Sequence, residues 1–330
     1  MRFSVIMPAY NAEKKLDKSV QSILKQSFSD FELIIVDDGS SDRTWDKIKL
    51  FENKDSRVRG IHQSNLGAGA ARNTGIDNSK GEYIAFLDSD DVWNHNFLEV
   101  INDDISTKMS DVIFINVVRE DNNGNLLRSE DMSVFAVLEK EMMIRQQLTG
   151  KIPWGCVRKV VKAEILLKNN IRLATTIKVG EESIYSFLVL QYANNISFRS
   201  DAIYHYIENN FSLTSNDVPE NSHSVFRYIN ESLEQLGYKN KYEKTINALA
   251  VTTVSILINL EVNQDKSIIN TLKQANVYIK MYKEFVCGEI DKDSLEWRVK
   301  ICMPWIKSGL VLPVIVAAKM QKAFRRLGGH

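Results

Sequence analysis

A short apolar run that ends in three carboxylates is the most informative part of this 330-residue sequence: Tyr83-Ile84-Ala85-Phe86-Leu87-Asp88-Ser89-Asp90-Asp91. The apolar part has the length and the residue types of a buried strand. In an open α/β sheet, ligands bind beyond the carboxyl ends of the strands. Alternate carboxylates at such a point can converge on Mg²⁺ or Mn²⁺, with diphosphate oxygens completing the ligand shell. The run therefore predicts a strand that carries acidic side chains to a binding site.

Similar apolar runs and helical patterns lie on both sides of this strand. Further strands are expected at Phe3–Met7, Phe31–Val36, Val58–His62 and Val112–Val118. Between them, apolar side chains recur at helical spacing at Leu16, Val20, Ile23 and Leu24, and again at Phe97, Leu98, Ile101 and Ile105. This alternation predicts an α/β fold with a mixed, mostly parallel sheet and helices on both faces.

Two other predicted strands also end in polar clusters. They run into Pro8-Ala9-Tyr10-Asn11 and into Asp37-Asp38-Gly39-Ser40. One such cluster can be explained by turns and helix caps alone. Three at the same sheet edge favour a binding site, because packed carboxylates repel one another unless positive charge lies among them. The glycines of the small-residue segment 66–72 have two interpretations, close approach to a ligand or close helix packing.

Four motifs, taken in order, give the chain its resemblance to a known family. They are Ser4-Val5-Ile6-Met7-Pro8-Ala9-Tyr10-Asn11, Val36-Asp37-Asp38-Gly39-Ser40-Ser41-Asp42, Ala71-Arg72-Asn73-Thr74-Gly75 and Leu87-Asp88-Ser89-Asp90-Asp91. Over residues 1–215 the chain resembles the inverting family 2 glycosyltransferases of bacterial polysaccharide or glycolipid synthesis, which have the GT-A fold. The resemblance implies a nucleotide-diphospho-sugar transferase domain that uses Mn²⁺ or Mg²⁺.

The resemblance also assigns site residues. It implies a nucleotide-sugar site formed by Pro8, Tyr10, Asn11, Asp38, Arg72, Asp88 and Asp90. It implies a metal site formed by Asp88, Asp90 and Asp91, with His205 as a further candidate that could equally be structural. The residue chemistry agrees, because an aromatic ring can stack on a base and a carboxylate can accept the imide hydrogen of uracil.

The acceptor side of the family pattern is present but altered. Trp154 resembles the tryptophan of the acceptor segment, although Cys156 stands where relatives often carry lysine. Glu181 and Glu182 resemble an acidic pair whose second member is usually an aspartate general base, so Glu182 is the expected catalytic base and Glu181 an acceptor-side residue. Either the acceptor pocket fits the longer side chain or the activity is weakened. The alternative is that both acids only begin a helix, where they favour its dipole.

Two domains are expected. Residues 1–217 form the transferase domain, with a nucleotide-binding half at 1–120 and an acceptor half at 121–217, and residues 218–330 form a helical region with a basic amphipathic tail. The tail, 297–330, has seven basic and no acidic side chains. It suits an anionic membrane surface, such as the inner face of the plasma membrane, or it packs on the protein or on a second copy.

Composition excludes several classes of protein. The 42 basic residues balance the 42 acidic ones, which argues against a nucleic-acid partner. The three cysteines lack a metal-type spacing, so neither a disulfide framework nor a zinc site is expected, and a reducing, cytoplasmic location fits. The sequence contains no run of about 20 apolar residues, so no transmembrane helix is expected.

Together these features predict transfer of a single sugar from a UDP-type nucleotide sugar to a hydroxyl of a glycan or lipid-linked glycan. The Gln-x-x-Arg-Trp signature of processive synthases is absent. A nucleotidyltransferase would carry a glycine-rich, lysine-containing loop after the first strand, where this chain has Pro8-Ala9-Tyr10-Asn11. An alternative of a different functional class is a non-catalytic glycan-binding or assembly subunit. The departures from the family pattern at Glu182 and Cys156 support it.

Overall fold

The chain folds into two compact units. Its structure is a computed structural model that describes residues 1–177, 179–208, 219–264 and 266–326. Unit 1 comprises Met1–Glu139 and Trp154–Ser212, and unit 2 comprises Lys140–Pro153 and Leu213–His330. The predicted boundary at residues 217 and 218 lies outside the described residues.

Unit 1 is an α/β domain. Its strands are β1 (Phe3–Ala9), β2 (Phe31–Asp38), β3 (Val58–Gln63), β4 (Tyr83–Phe86), β5 (Val92–Trp93), β6 (Val112–Glu120), β7 (Leu126–Glu130), β8 (Lys159–Lys162) and β9 (Ile196–Ile207). Its helices are α1 (Leu16–Leu24), α2 (Thr44–Lys54), α3 (Ala68–Asp77), α4 (Phe97–Lys108), α6 (Ala163–Lys168) and α7 (Glu182–Tyr192). The five strands and two helices predicted from the sequence are confirmed, and the strands are buried on both faces where they are most apolar.

The strands of the described part of unit 1 form one mixed sheet in the order β3-β2-β1-β4-β8-β6-β9-β5, with β7 paired to β6. Strands β1 to β4 pair in parallel, with Phe3 opposite both Phe31 and Tyr83. The carboxyl ends of these four strands therefore meet at one edge, as the polar clusters predict. Beyond β4 the pairing of β6 with β9 is parallel and the other described pairings are antiparallel, so the sheet is mixed, as expected.

Unit 2 is helical. It contains α5 (Lys140–Leu148), α8 (Pro219–Gln235), α9 (Glu243–Asn263), α10 (Ile268–Met281), α11 (Lys283–Cys287), α12 (Trp297–Ser308) and α13 (Leu312–Arg326). Segment 140–153, which the sequence analysis placed in the acceptor half, belongs to this unit. Contacts with residues far away in the sequence place it there. Thr149 Oγ1 donates a hydrogen bond to the Ser294 carbonyl at 2.7 Å, and α5 packs on α9.

Helix α9 is the centre of unit 2, and α8, α10, α11, α12 and α13 pack around it. It has the length and mean hydropathy, 1.5, of a membrane-spanning helix, but 78% of that window is buried in the protein. Within the described residues, no other helix has both properties. The burial is that expected of a core helix in a helical bundle.

Close packing explains the glycines of α3. A Cβ atom at Gly75 would lie 2.3 Å from Ile6 Cγ2 of β1, and one at Gly69 would lie 2.4 Å from the Ala174 carbonyl oxygen. Both distances are too short for any side chain, so the packing interpretation holds at these positions. Helix α3 can therefore lie close against the sheet edge that carries the acidic clusters.

Replacing Gly75 with alanine tests this packing. In an open helix the change would stabilise the protein by up to about 1 kcal/mol. Here it should lower the free energy of unfolding by roughly 1–3 kcal/mol, because Ile6 must move. Urea unfolding followed by circular dichroism measures the difference, and a more stable variant would contradict the packing described.

Candidate functional site

Hydrogen bonds around Asn11 tie the ends of β1 and β2 together. Its side-chain oxygen accepts the Ser41 N–H at 2.9 Å, and its own N–H donates to Ser40 Oγ at 2.9 Å. Asn11 has a left-handed φ of 47°, which asparagine tolerates better than most residues. Pro8 is buried within β1, whereas Tyr10 exposes 52% of its surface. The Tyr10 ring is therefore open for stacking, and the Asn11 amide holds the loop.

Asp38 holds the segment that leads into α3. Its buried carboxylate accepts hydrogen bonds from Gln63 Nε2 at 2.7 Å, from the Leu66 N–H at 2.9 Å and from the Gly67 N–H at 2.8 Å. A carboxylate has about four acceptor positions. One position, on Oδ2, is left for the base contact that the sequence predicts.

The three carboxylates after β4 have different surroundings. Asp88 Oδ1 accepts a hydrogen bond from Arg72 at 2.8 Å, and Asp90 lies 3.1 Å from Lys15 Nζ. Asp91 is buried and accepts the Tyr204 hydroxyl at 2.5 Å and the Ile207 N–H at 2.8 Å. Burial, together with Asp88 and Asp90, raises the pKa of Asp91 to about 8. Both carboxylate oxygens of Asp91 already accept hydrogen bonds from the protein. Asp88 and Asp90 are therefore the better candidates for metal ligands.

Arg72 lies at the centre of the acidic residues. Its buried guanidinium bonds Asp88 through Nη2, and Nη1 lies 3.6 Å from Glu181 Oε1. Burial alone would lower the pKa of Arg72, but neighbouring groups, Asp88 and Glu182 among them, raise it well above its usual value. Nε and Nη1 have no hydrogen-bond partner among the described residues. The side chain thus carries a fixed positive charge with two nitrogens that make no hydrogen bond to the described residues.

The two glutamates at the start of α7 differ in electrostatics. Burial and the adjacent Glu182 raise the pKa of Glu181 to about 7, although Arg72 opposes the shift. Burial would also raise the pKa of Glu182, but Arg72, the Cys156 backbone and Lys159 outweigh it and lower the pKa. Glu182 Oε1 accepts the Cys156 N–H at 2.8 Å. Glu182 is therefore ionised at neutral pH and held in place on one oxygen.

Lys159 joins the acceptor segment to α7. Its buried Nζ donates to the carbonyls of Trp154 at 2.9 Å and Gly155 at 3.0 Å, and to Ser186 Oγ at 2.7 Å. Burial lowers the pKa of Lys159 to about 8, although Glu182 opposes the shift. All three ammonium hydrogens are used, so Lys159 fixes the backbone of Trp154 relative to the helix that carries Glu182.

The structure does not bring His205 to the acidic cluster. His205 Nδ1 lies 2.7 Å from Glu120 Oε1. The preceding residue, Tyr204, reaches Asp91, and successive side chains of a strand point to opposite faces. Within the residues that the structure describes, no group of three His, Cys, Asp or Glu side chains is arranged to hold a metal ion.

Sequence reasoning missed two residues of this site. Lys159 resembles any lysine that begins a short strand, and only the fold shows that its ammonium is buried. Tyr204 lies beside His205 in the sequence. The pattern that could have identified it is its spacing of two from Ala202 on β9, since both side chains are buried. A period of two assigns these residues to one buried face.

Comparison with known proteins adds independent information. The family described as Glycosyl transferase family 2 matches residues 4–163. The chain is 34% identical over 213 residues to the glycosyltransferase GlyG of Streptococcus pneumoniae. The aligned region covers 62% of this chain and 69% of that protein. It is 27% identical to the poly(ribitol-phosphate) beta-N-acetylglucosaminyltransferase TarP of Staphylococcus aureus, over 97% of this chain and 99% of that protein.

A solved structure shares the fold. Staphylococcus aureus TarS 1–349 in complex with UDP-GlcNAc matches all of this chain and 93% of that chain, with a TM-score of 0.71 and 22% identity. The chain spans 60 to 69% of the length of the first three curated relatives it matches. The GT-A fold expected from the sequence is confirmed.

Lys159→Met tests the role of the buried ammonium. The change leaves the Trp154 and Gly155 carbonyls without their partner and should lower the free energy of unfolding by roughly 3 kcal/mol. Lys168→Met on α6 is the control, because that side chain is 73% exposed and should change stability by about 0.5 kcal/mol or less. Urea unfolding of both variants measures the difference, and equal stabilities would remove Lys159 from the framework of the site.

Proposed function

The chain belongs to glycosyltransferase family 2, and we propose that it transfers one sugar from a UDP-type nucleotide sugar to a hydroxyl of a glycan or lipid-linked glycan, with inversion at C1. The observation that carries the proposal is the buried Arg72 guanidinium, in which Nε and Nη1 have no hydrogen-bond partner among the described residues. Buried donors of this kind cost free energy until a ligand pairs them. The diphosphate and the hydroxyls of a nucleotide sugar are suitable acceptors.

The base would bind at the ends of β1 and β2. The exposed Tyr10 ring offers a stacking surface, and Asp38 Oδ2 has one acceptor position left for the imide N–H of uracil. The hydrogen bonds of Asp38 to the loop before α3 hold its carboxylate in a fixed orientation. This arrangement favours a uridine nucleotide over one that presents an acceptor at the same position.

The residues present fit a divalent cation. Asp88 and Asp90 are hard oxygen ligands, and burial together with the nearby Asp90 raises the pKa of Asp88 although Arg72 opposes the shift. Mn²⁺ or Mg²⁺ held by Asp88 and Asp90 would supply charge neutralisation for the departing diphosphate. Diphosphate oxygens would complete the ligand shell, because the described residues do not provide a third carboxylate ligand.

Glu182 is the proposed general base. Its carboxylate is ionised, and Oε1 accepts the Cys156 N–H. In the step proposed, the acceptor hydroxyl oxygen forms a bond to C1 of the sugar, the bond from C1 to the diphosphate oxygen breaks, and the hydroxyl proton passes to Glu182. Arg72 offsets charge on the nucleoside diphosphate that leaves. A single displacement of this kind inverts the anomeric centre.

The relatives suggest which donor and acceptor to examine first. The name of TarP specifies an N-acetylglucosaminyl donor group and a poly(ribitol-phosphate) acceptor, and TarS is solved with UDP-GlcNAc. We therefore propose UDP-GlcNAc as the first donor. The three cysteines are free, as a reducing compartment would allow, and a cytoplasmic location is part of the proposal.

A non-catalytic subunit is the second candidate. The observation that favours it is the bond between Glu182 and the Cys156 backbone, which gives the glutamate a structural role. The two candidates differ in turnover. A transferase should release UDP slowly from UDP-GlcNAc in water and faster with an acceptor, whereas a binding subunit should bind the nucleotide sugar without releasing UDP.

Glu182→Gln should lower the transfer rate by roughly two to four orders of magnitude, the usual contribution of a positioned base. Donor affinity and fold should be retained, because the glutamine oxygen can still accept the Cys156 N–H. Glu181→Gln is the control and should cost far less, since adjacent helical residues point about 100° apart. UDP release and donor binding are measured for both variants.

The pH profile separates the two glutamates. Because the pKa of Glu182 is lowered, a rate that depends on its ionised form should fall only below the usual range of a glutamate. A rate that falls on acidification through pH 7, with the fall lost in Glu181→Gln, would assign the base to Glu181, whose pKa is about 7.

Metal dependence is tested by calorimetry with UDP. Affinity should be roughly tenfold higher or more with Mn²⁺ or Mg²⁺ than with a chelator, because the cation joins the carboxylates to the diphosphate. Asp90→Asn should reduce that difference, whereas Asp46→Asn, an exposed position on α2, should not. Equal affinity for UDP with and without chelator would refute the metal site.

A further inference from the structure

Helix α12 has an exposed apolar stripe on the side opposite to its core contacts. Trp297, Ile301 and Trp305 expose 63%, 61% and 43% of their surfaces. They lie four residues apart, which places them within about 80° of one another on a helix. The side chains that pack inward are Val299, Met303 and Ile306. Trp297, Ile301 and Trp305 therefore face away from the core of unit 2.

Helix α13 repeats the arrangement. Leu312, Val316 and Met320 are exposed at the same spacing of four residues. Val314 and Ile315 are buried, so one side of α13 is docked on unit 2. We call Trp297, Ile301 and Trp305 of α12 the apolar stripe.

Two lysines hold α13 in this orientation. Lys322 Nζ donates to the Asn263 carbonyl at 2.9 Å, and Lys319 Nζ donates to the Lys266 carbonyl at 2.9 Å. The first of these carbonyls belongs to the last turn of α9, where positive charge is favoured. These two bonds tie α13 to the end of α9 and to the segment that follows it.

Basic side chains flank the stripe on α12. At 100° per residue, Arg298 lies on one side of the stripe, and Lys300 and Lys307 lie on the other. All three are exposed, although Lys307 also donates to the Gly288 carbonyl at 3.0 Å. An apolar centre with tryptophans and flanking cations is the pattern of a helix that lies in a membrane interface.

The charge of the whole segment decides between the possible occupants of this surface. Residues 297–330 include seven basic side chains and no acidic one. A second copy that docks through the same face would bring equal charges together, which costs free energy. A membrane with anionic headgroups has the opposite charge and also an apolar interior. Charge complementarity therefore favours the membrane.

We propose that the apolar stripe lies in the interface of an anionic lipid membrane, with Trp297, Ile301 and Trp305 at the acyl boundary and the flanking basic residues at the headgroup phosphates. This surface lies in unit 2 and does not depend on the proposed transferase activity. It would confine the protein to two dimensions at the membrane, where a lipid-linked acceptor would also be found.

Vesicle flotation of the full chain, without nucleotide, tests the proposal. The protein should bind vesicles that contain phosphatidylglycerol, bind phosphatidylcholine vesicles weakly, and be released by salt. Ile301→Ser/Trp305→Ser should weaken binding to the anionic vesicles by roughly tenfold or more, as should Arg298→Gln/Lys300→Gln. The control, Leu50→Ser/Val137→Ser, removes two exposed apolar side chains of unit 1 and should bind like the wild type.

Three results would overturn the proposal. The first is equal binding to neutral and anionic vesicles, and the second is an effect of the control variant as large as that of the stripe variants. The third is a wild-type protein that ignores vesicles but is oligomeric in solution and becomes monomeric in Ile301→Ser/Trp305→Ser, which would assign the stripe to a second copy. Circular dichroism, recorded in parallel, shows that each variant is folded.

Discussion

A buried positive charge on Arg72 allows the acidic residues of the site to lie close together. Asp88 follows β4, and Glu181 precedes α7, yet both lie beside one guanidinium. Without that charge the carboxylates would repel one another and take up protons. The position of Arg72 depends in turn on α3, which packs tightly on β1 at Gly75 and on the Ala174 backbone at Gly69 because neither glycine has a side chain. Two packing glycines are thus a condition for the electrostatics of the site.

The acceptor side is built around a second buried cation. In the family pattern a lysine often stands where this chain has Cys156, a thiol whose pKa is raised mainly by burial. Lys159, three residues later, supplies a buried ammonium that fixes the Trp154 and Gly155 carbonyls. It also contributes to the lowered pKa of Glu182. The departures at 156 and 182 are therefore accompanied by a local arrangement that keeps the glutamate ionised and oriented.

Much of the fold could be predicted because its signals are local. The apolar runs of β1 and β4 and the helical spacing of α1 depend on neighbouring residues alone, and the parallel order of β1 to β4 then gathers the polar strand ends. The antiparallel pairings of β8 and the docking of α5 on unit 2 depend on contacts far apart in the sequence. For the same reason the sequence did not reveal that Asp91 faces Tyr204, or that His205 faces Glu120.

Arg72 Nε and Nη1, which have no hydrogen-bond partner among the described residues, are the groups proposed to bind the donor. A crystal structure of the full chain with UDP-GlcNAc and Mn²⁺ tests this proposal most directly. We expect a hydrogen bond from Arg72 Nε or Nη1 to the diphosphate or the sugar, with the uracil ring on Tyr10. A donor bound elsewhere, or bound here with neither nitrogen hydrogen-bonded to it, would contradict this role of Arg72.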